Sequence, residues 1–159
     1  FFNMLGPMVN PSFPKNQMVG VFSLELARMY AYLYQNTDVN FSILHGLSGF
    51  DEVSLTDNVK IITNSTEQIL SPEDLNFSRI ELHEIKGGTT VDEAAKIFHN
   101  IISGKGTLQQ KQVVCANAAI AIQTVEKSTF DEAFAKAEES LLSGKAFEKL
   151  NQLIKISAN

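Results

Sequence analysis

The chain has 159 residues, of which 44% are hydrophobic, so it is long enough to bury one domain's core without disulfides. Its formal net charge of -5 provides no broad basic surface, which argues against nucleic acid and anionic membranes as partners. The single cysteine, Cys115, excludes an internal disulfide, and no stretch predicts a membrane-spanning helix or a signal peptide. We therefore expect a cytoplasmic protein that binds neither membranes nor nucleic acid.

The first third of the chain predicts a β-α-β unit. Residues 1–16 start with an apolar run and no initiator Met, as if in mid-element, which indicates a fragment. Residues 17–22 predict a short strand, Ser23 an N-cap, and residues 24–33 a helix. Residues 41–46 predict the next strand. Because this strand shows no polar–apolar alternation, we expect an α/β fold with a mostly parallel sheet flanked by helices.

The remainder of the chain predicts two more strands and a helical last third. The strings "VKIITN" and "TEQIL" predict strands, "SPEDLN" a short helix with Pro72 in its first turn, and "RIELHEI" an extended segment. Capping boxes at Thr90 and Thr129 open helices that end at Gly104 and Gly144, and a final helix follows. Between the capped helices, "QQKQVVCANAAIAIQTV" is apolar nearly all round, which predicts a central buried helix.

The loop after the second predicted strand carries the strongest chemical signal. Asp51 and Glu52 are adjacent carboxylates at the carboxyl end of that strand. The flanking Gly46 and Gly49 allow the backbone to fold closely around a ligand. Ligands of α/β sheets bind at such strand ends. Adjacent carboxylates repel unless a cation neutralises them, and Mg²⁺ prefers carboxylate and phosphate oxygens. On the residues alone, a magnesium site and a solvated acidic loop are equally good interpretations.

The other candidate residues have structural explanations. His45, His83 and His99 lie far apart without metal-ligand spacing, so we expect structural or solvated roles for them. The strings "KGG" and "GKG" do not follow the phosphate-loop pattern and are interpreted as turns and helix ends. The pairs at 92–93 and 131–132 lie in the first turns of predicted helices, where negative charge interacts favourably with the helix dipole.

Several strings, taken in order and spacing, point to a known family. "FFNMLGPMVNP", "GVFS", "HGLSGFDEVS", "GG" and "NAAIAI" resemble the C-terminal half of the anthranilate phosphoribosyltransferases over nearly the full chain. The resemblance implies that residues 1–16 form a hinge segment and residues 17–159 part of a large α/β phosphoribosyltransferase domain. The family's "GTGGD" loop, its "KHGN" segment and its anthranilate-binding arginine have no counterpart here, which agrees with a missing N-terminal half.

The resemblance also implies an activity and its residues. The family transfers the phosphoribosyl group from phosphoribosyl pyrophosphate to the amine of anthranilate, giving N-(5-phosphoribosyl)anthranilate and pyrophosphate in tryptophan biosynthesis, with Mg²⁺. The resemblance implies that Asp51 and Glu52 bind magnesium and that Gly6 and Pro7 border the anthranilate pocket. For Gly6 and Pro7, a plain helix terminator is an equally good explanation. The full-length enzyme is expected to be a homodimer, and this fragment alone to be inactive.

Two alternative functions are weighed against this one. A non-catalytic, nucleic-acid-binding relative should be basic, whereas this chain is acidic and its arginines are Arg28 and Arg79 alone. A pyrimidine nucleoside phosphorylase uses phosphate as co-substrate without a magnesium pair, so Asp51 and Glu52 disfavour it. The fold does not separate these functions, because one architecture hosts several chemistries. In each case a partial sheet is expected to expose an edge and apolar surface.

Overall fold

A four-stranded sheet lies at the centre of the structure. The structure is a computed structural model that describes residues 2–158, with side chains from residue 4 onward. The strands follow one another across the sheet in chain order. They are β1 (Asn16–Gly20), β2 (Asn40–Gly46), β3 (Val59–Thr63) and β4 (Glu67–Leu70).

Helices make up most of the remaining chain. The α-helices of the described residues are α1 (Phe2–Leu5), α2 (Leu24–Tyr34), α3 (Val91–Ile102), α4 (Leu108–Val125), α5 (Phe130–Leu142) and α6 (Lys145–Ser157). Short 3-10 helices span Gly6–Met8, Glu73–Leu75 and Leu82–Ile85. The prediction of an extended segment at "RIELHEI" is wrong, because Leu82–Ile85 forms one of these 3-10 helices. A turn forms there because the Glu84 carboxylate accepts a hydrogen bond from the Glu81 N–H at 2.8 Å.

The strand directions are mixed. β1 and β2 are parallel, with Gly20 opposite Leu44, whereas β2–β3 and β3–β4 are antiparallel. The parallel pair is the predicted β-α-β step through α2, and it confirms the α/β class. The connection from β2 to β3 has no α-helix, and a return to a parallel strand usually requires one. Within the described residues the sheet thus has one parallel and two antiparallel strand pairs, so it is a mixed sheet whose parallel part is β1–β2.

Both faces of the sheet are covered, which explains why β2 lacks alternation. Ile43 packs with α2 residues such as Leu26 and Tyr30 on one face, and Leu44 packs with the α4 residues Ala116 and Ile120 on the other. Burying a large aliphatic side chain contributes about 1.5–3 kcal/mol, so both faces of this strand stabilise the fold. Three layers result, with α2 and α4 on opposite faces of the sheet.

Local capping signals set most of the helix ends. The hydroxyl of Ser23 accepts from the Leu26 N–H, and Thr129 forms its complete capping box with Glu132. The box predicted at Thr90 is half formed, because the Glu93 carboxylate binds Thr89 instead. Gly104 and Gly144 adopt left-handed conformations after α3 and α5, as the sequence predicts. An unpredicted box, Thr107 with Gln110, opens α4.

Burial of α4 differs from the prediction of a helix that is buried all round. One stripe is buried (Cys115, Ala116, Ala119 and Ile120), whereas Leu108, Val114 and Val125 are exposed. The buried stripe faces the sheet and α5, and α4 also contacts the 3-10 helix Leu82–Ile85. Exposed apolar side chains also occur on α2, α3 and α6, so the expected apolar surface is confirmed.

Candidate functional site

A tight turn after β2 positions the predicted acidic pair. The Gly46 N–H donates to the Phe50 carbonyl at 2.7 Å, and the Gly49 N–H donates to the Gly46 carbonyl at 2.9 Å. Gly49 has φ 99°, a left-handed conformation that suits glycine. The turn places Asp51 and Glu52 at the carboxyl end of β2, with both residues exposed to solvent.

The end of β1 lies directly against the backbone of this loop. A Cβ atom added to Gly20 would lie 1.8 Å from the Asp51 carbonyl oxygen and 2.9 Å from its carbonyl carbon. A Cβ on Gly46 would lie 3.1 Å from the Phe50 carbonyl oxygen and 3.2 Å from that of Glu52. Glycines at the ends of both parallel strands therefore allow the acidic loop to cross them closely.

Asn117 on α4 binds the residue that follows the acidic pair. Its Oδ1 accepts from the Val53 N–H at 3.0 Å, and its Nδ2 donates to the Val53 carbonyl at 2.8 Å and to the Val113 carbonyl at 2.9 Å. Val53 itself is buried in the core beneath α4. On one side of Glu52 the backbone packs closely against β1, and on the other side it is hydrogen-bonded to α4.

The three histidines take the structural or solvated roles that the sequence predicts. His45 is buried at the end of β2, with its Nδ1 2.8 Å from the Val21 carbonyl oxygen. Because a carbonyl only accepts hydrogen bonds, Nδ1 carries the proton and links β2 to the residue after β1. His83 and His99 are exposed, and His99 lies edge-on to the Phe147 ring.

Asp51 and Glu52 place two acidic side chains next to each other. Desolvation of its carboxyl group and, to a smaller extent, the charge of Asp51 raise the pKa of Glu52. Among the ion pairs of the described residues, none includes Asp51 or Glu52. Within residues 2–158, no group of three or more His, Cys, Asp or Glu side chains is placed to hold a metal. The donor set is therefore two hard carboxylate ligands, a set that fits Mg²⁺ when substrate and water supply the other oxygens.

We expect Glu52→Gln to stabilise the full-length protein by about 0.5 kcal/mol at neutral pH in metal-free buffer, a magnitude typical of exposed charge pairs. With its pKa raised by folding, Glu52 binds more protons in the folded state, so wild-type stability falls as pH rises between the unfolded and the folded pKa. The gain from the neutral amide is therefore present above the folded pKa and lost at lower pH. Urea unfolding at pH 4 and pH 7.5 measures it.

Asp92→Asn provides a contrast for this experiment. Asp92 lies in the first turn of α3, where its charge favours the helix dipole, so its removal should destabilise the protein slightly. A Glu52→Gln protein that is less stable than wild type at pH 7.5 without metal would contradict the expected repulsion.

The predicted substrate residues Gly6 and Pro7 lie in a separate segment. α1 ends at Leu5, and Gly6 begins the short 3-10 helix. The Pro7 carbonyl accepts from Gln17 Nε2 at 2.6 Å, near the amino end of β1. Gln17 and Gly20 are three residues apart on this strand, a separation of about 10 Å. The structure therefore anchors the two predicted site segments at different ends of β1.

A cleft at the amino end of β2 is also separate from the acidic loop. It has a volume of about 600 Å³ and is lined by the amino end of β2, the β3–β4 turn and the α4–α5 connection. Phe41 in its wall precedes Gly46 by five residues of strand, a distance of about 17 Å. The cleft and the acidic loop are therefore distinct features.

Sequence reasoning identified the acidic loop but assigned no role to Gly20 and Asn117, although both lie in strings that carry the family resemblance. Asn117 is the amide in the otherwise apolar stretch Val113–Ile120. A polar side chain in such a stretch needs a hydrogen-bond partner, so its isolation was a usable signal. Gly20 shows no comparable local signal, because the close approach involves a loop that comes later in the chain.

Among the helices that the structure describes, none is long and apolar enough to span a lipid bilayer.

Comparison with known sequences identifies the relatives of this chain. Residues 1–147 match the family described as "Glycosyl transferase family, a/b domain". The chain is 61% identical over 157 residues to the anthranilate phosphoribosyltransferase of Flavobacterium johnsoniae, covering 99% of this chain and 48% of the relative. It is 58% identical over 159 residues to that of Christiangramia forsetii, covering 100% and 48%. The chain therefore spans about half the length of the curated relatives it matches.

Solved structures agree with this relationship. The anthranilate phosphoribosyltransferase of Thermus thermophilus superposes with a TM-score of 0.85 at 27% identity, covering 95% of this chain and 46% of that one. The Saccharomyces cerevisiae enzyme in complex with PRPP and Mg superposes with a TM-score of 0.86 at 27% identity, covering 99% and 46%. The resemblance to the C-terminal half of these enzymes is confirmed. By sequence and by fold, this chain belongs to the glycosyl transferase family through its a/b domain.

Proposed function

We propose that the full-length protein containing this chain is a Mg²⁺-dependent anthranilate phosphoribosyltransferase of tryptophan biosynthesis. Relatives at 58–61% identity carry that name, and a structural neighbour is in complex with PRPP and Mg. The observation that carries the proposal is the position of Asp51 and Glu52 at the carboxyl ends of two parallel strands, the edge at which α/β sheets bind ligands. In this proposal residues 1–16 form the hinge and residues 17–159 part of the large domain.

The chemistry assigned to the acidic pair is cation binding. In the reaction, the bond between C1 and pyrophosphate breaks, its electron pair leaves with pyrophosphate, and the anthranilate amine forms the new bond to C1 and loses a proton. A bound Mg²⁺ supplies Lewis-acid neutralisation of the pyrophosphate charge. Asp51 and Glu52 hold the cation and move no proton. Since both must be ionised for this, the raised pKa of Glu52 should weaken cation binding at acidic pH.

Gly6 and Pro7 are proposed to border the anthranilate pocket. If they do, Pro7→Ala should raise KM for anthranilate about five- to tenfold, the loss expected for one contact worth roughly 1 kcal/mol. KM for phosphoribosyl pyrophosphate should stay nearly constant, because that substrate is assigned to the acidic loop. Steady-state kinetics with each substrate varied in turn measures the difference. Equal changes in both KM values would favour a plain helix terminator at Gly6 and Pro7.

The experiment that tests the activity follows anthranilate fluorescence with the full-length protein, phosphoribosyl pyrophosphate and Mg²⁺. Loss of fluorescence that requires both additions supports the transferase. A flat trace, together with phosphate-dependent cleavage of a pyrimidine nucleoside, would instead indicate a phosphorylase. Flat traces in both assays with folded protein would contradict both of these activities and favour a non-catalytic relative.

The proposal also covers the oligomeric state of the full-length protein and the activity of residues 1–159 alone. We expect the full-length protein to sediment as a homodimer. The fragment should be inactive in the fluorescence assay, because the family's phosphate loop and anthranilate-binding arginine match no string in its sequence.

A further inference from the structure

We propose that Asn117 is a positioning residue for the Asp51–Glu52 pair, so that α4 sets the affinity of the acidic loop for its divalent cation. The inference rests on the proposed function, since the pair is taken to bind a cation. Asn117 is not itself assigned to substrate or metal. It acts through the backbone of Val53, the residue next to Glu52.

The contact is built for orientation because it uses both backbone groups of one residue. The Asn117 amide accepts from the Val53 N–H at 3.0 Å and donates to the Val53 carbonyl at 2.8 Å. A third bond, from Nδ2 to the Val113 carbonyl at 2.9 Å, ties the amide to its own helix and fixes its rotation. Two antiparallel hydrogen bonds to a single peptide segment restrict both its position and its direction.

The segment that leaves the pair is fixed as well. Val53 and Leu55 are buried, each with 1% of its surface exposed. Leu55 has φ 60°, a left-handed conformation that is unfavourable for a branched residue and persists only where surrounding contacts enforce it. The Leu55 carbonyl accepts from the Ile80 N–H at 3.0 Å. The exit of the loop therefore has one backbone path, and Asn117 defines its first step.

At the entrance of the pair, the end of β1 packs closely against the loop backbone, and a Cβ atom on Gly20 would clash with the Asp51 carbonyl. Asp51 and Glu52 are exposed residues, and their side chains have no ion-pair partner among the described residues. Their relative direction thus depends on the backbone at Asp51 and at Val53. Residues that orient metal ligands from outside typically change metal affinity 10- to 100-fold when replaced.

The test compares the full-length wild-type protein with Asn117→Ala and Asn117→Ser. Serine can still bond the Val113 carbonyl on its own helix but does not reach Val53, which provides a milder variant if alanine fails to fold. Asn100→Ala, at an exposed asparagine of α3, is the matched control. Two quantities are measured: hydrogen exchange of the backbone at residues 47–55 in metal-free buffer, and Mn²⁺ affinity by electron paramagnetic resonance with phosphoribosyl pyrophosphate present.

Both Asn117 variants should exchange at least about tenfold faster at residues 47–55 and bind Mn²⁺ about 10- to 100-fold more weakly, whereas Asn100→Ala matches wild type. Excess Mg²⁺ should restore much of the variants' turnover, a rescue that a general folding defect would not show. Wild-type Mn²⁺ affinity in a folded Asn117 variant would overturn the proposal, as would unchanged exchange. A wild-type protein that binds no Mn²⁺ would contradict the proposed metal site instead, while faster exchange in the variants would still support the role of Asn117 in holding the loop.

Discussion

Asp51→Asn and Glu52→Gln should each lower kcat of the full-length protein with anthranilate by about 100-fold or more, and the double variant should be inactive. Each change removes one carboxylate charge from the proposed cation site. Neutralising the charge of a leaving pyrophosphate stabilises the transition state by several kcal/mol. Each loss of about 1.4 kcal/mol of this stabilisation lowers the rate about tenfold. Initial rates of anthranilate fluorescence loss across a Mg²⁺ titration measure both kcat and the metal requirement.

The stability of the variants separates this loss from misfolding. Glu52→Gln should be at least as stable as wild type without metal, because it relieves repulsion with Asp51. Asp92→Asn, which changes an equivalent acidic pair at the start of α3, should retain wild-type kcat. Unaltered kcat and Mg²⁺ dependence in both single variants would show that Asp51 and Glu52 do not contribute to the reaction.

Features that depend on a few neighbouring residues were predictable from the sequence. The caps at Ser23 and Thr129 join a side chain to a backbone N–H three residues away. The continuous burial of β2 follows from helices on both faces, and the prediction of helices flanking this strand is confirmed. The position of the acidic loop at the end of β2 was also predictable, because strand, turn and loop are consecutive in the chain.

Features that depend on distant residues were not predictable. The strand direction of β3 depends on the path of residues 47–58, and no local pattern encodes that path. The string around the 3-10 helix Leu82–Ile85 predicts an extended segment because Ile80 and Leu82 alternate with polar residues, whereas the spacing of Leu82 and Ile85 is that of a 3-10 turn. The contact between Asn117 and Val53 joins residues 64 positions apart. It exists only once α4 packs on the sheet, so the isolated amide signalled a partner without identifying it.

The second large effect is expected from Gly20→Ala, which changes no charge and no proposed ligand. Its new Cβ would lie 1.8 Å from the Asp51 carbonyl oxygen, so the loop backbone has to move by more than 1 Å to reach ordinary contact. Displacements of about 1 Å in a site can cost about 100-fold in rate. We therefore expect kcat/KM for phosphoribosyl pyrophosphate to fall by roughly that factor, with a stability loss of about 1–3 kcal/mol from overpacking.

Gly87→Ala is the matched control, because an added Cβ there meets no atom within 4 Å. Wild-type kinetics in a stable Gly20→Ala protein would show that the position of the loop is unimportant. The two sets of variants have opposite expected effects on stability: Glu52→Gln removes a charge and stabilises the metal-free protein, whereas Gly20→Ala keeps both charges and destabilises it. If both nevertheless weaken Mg²⁺ use, the shared loss cannot come from stability. It then requires both the charge of the pair and the position that β1 and α4 impose on it.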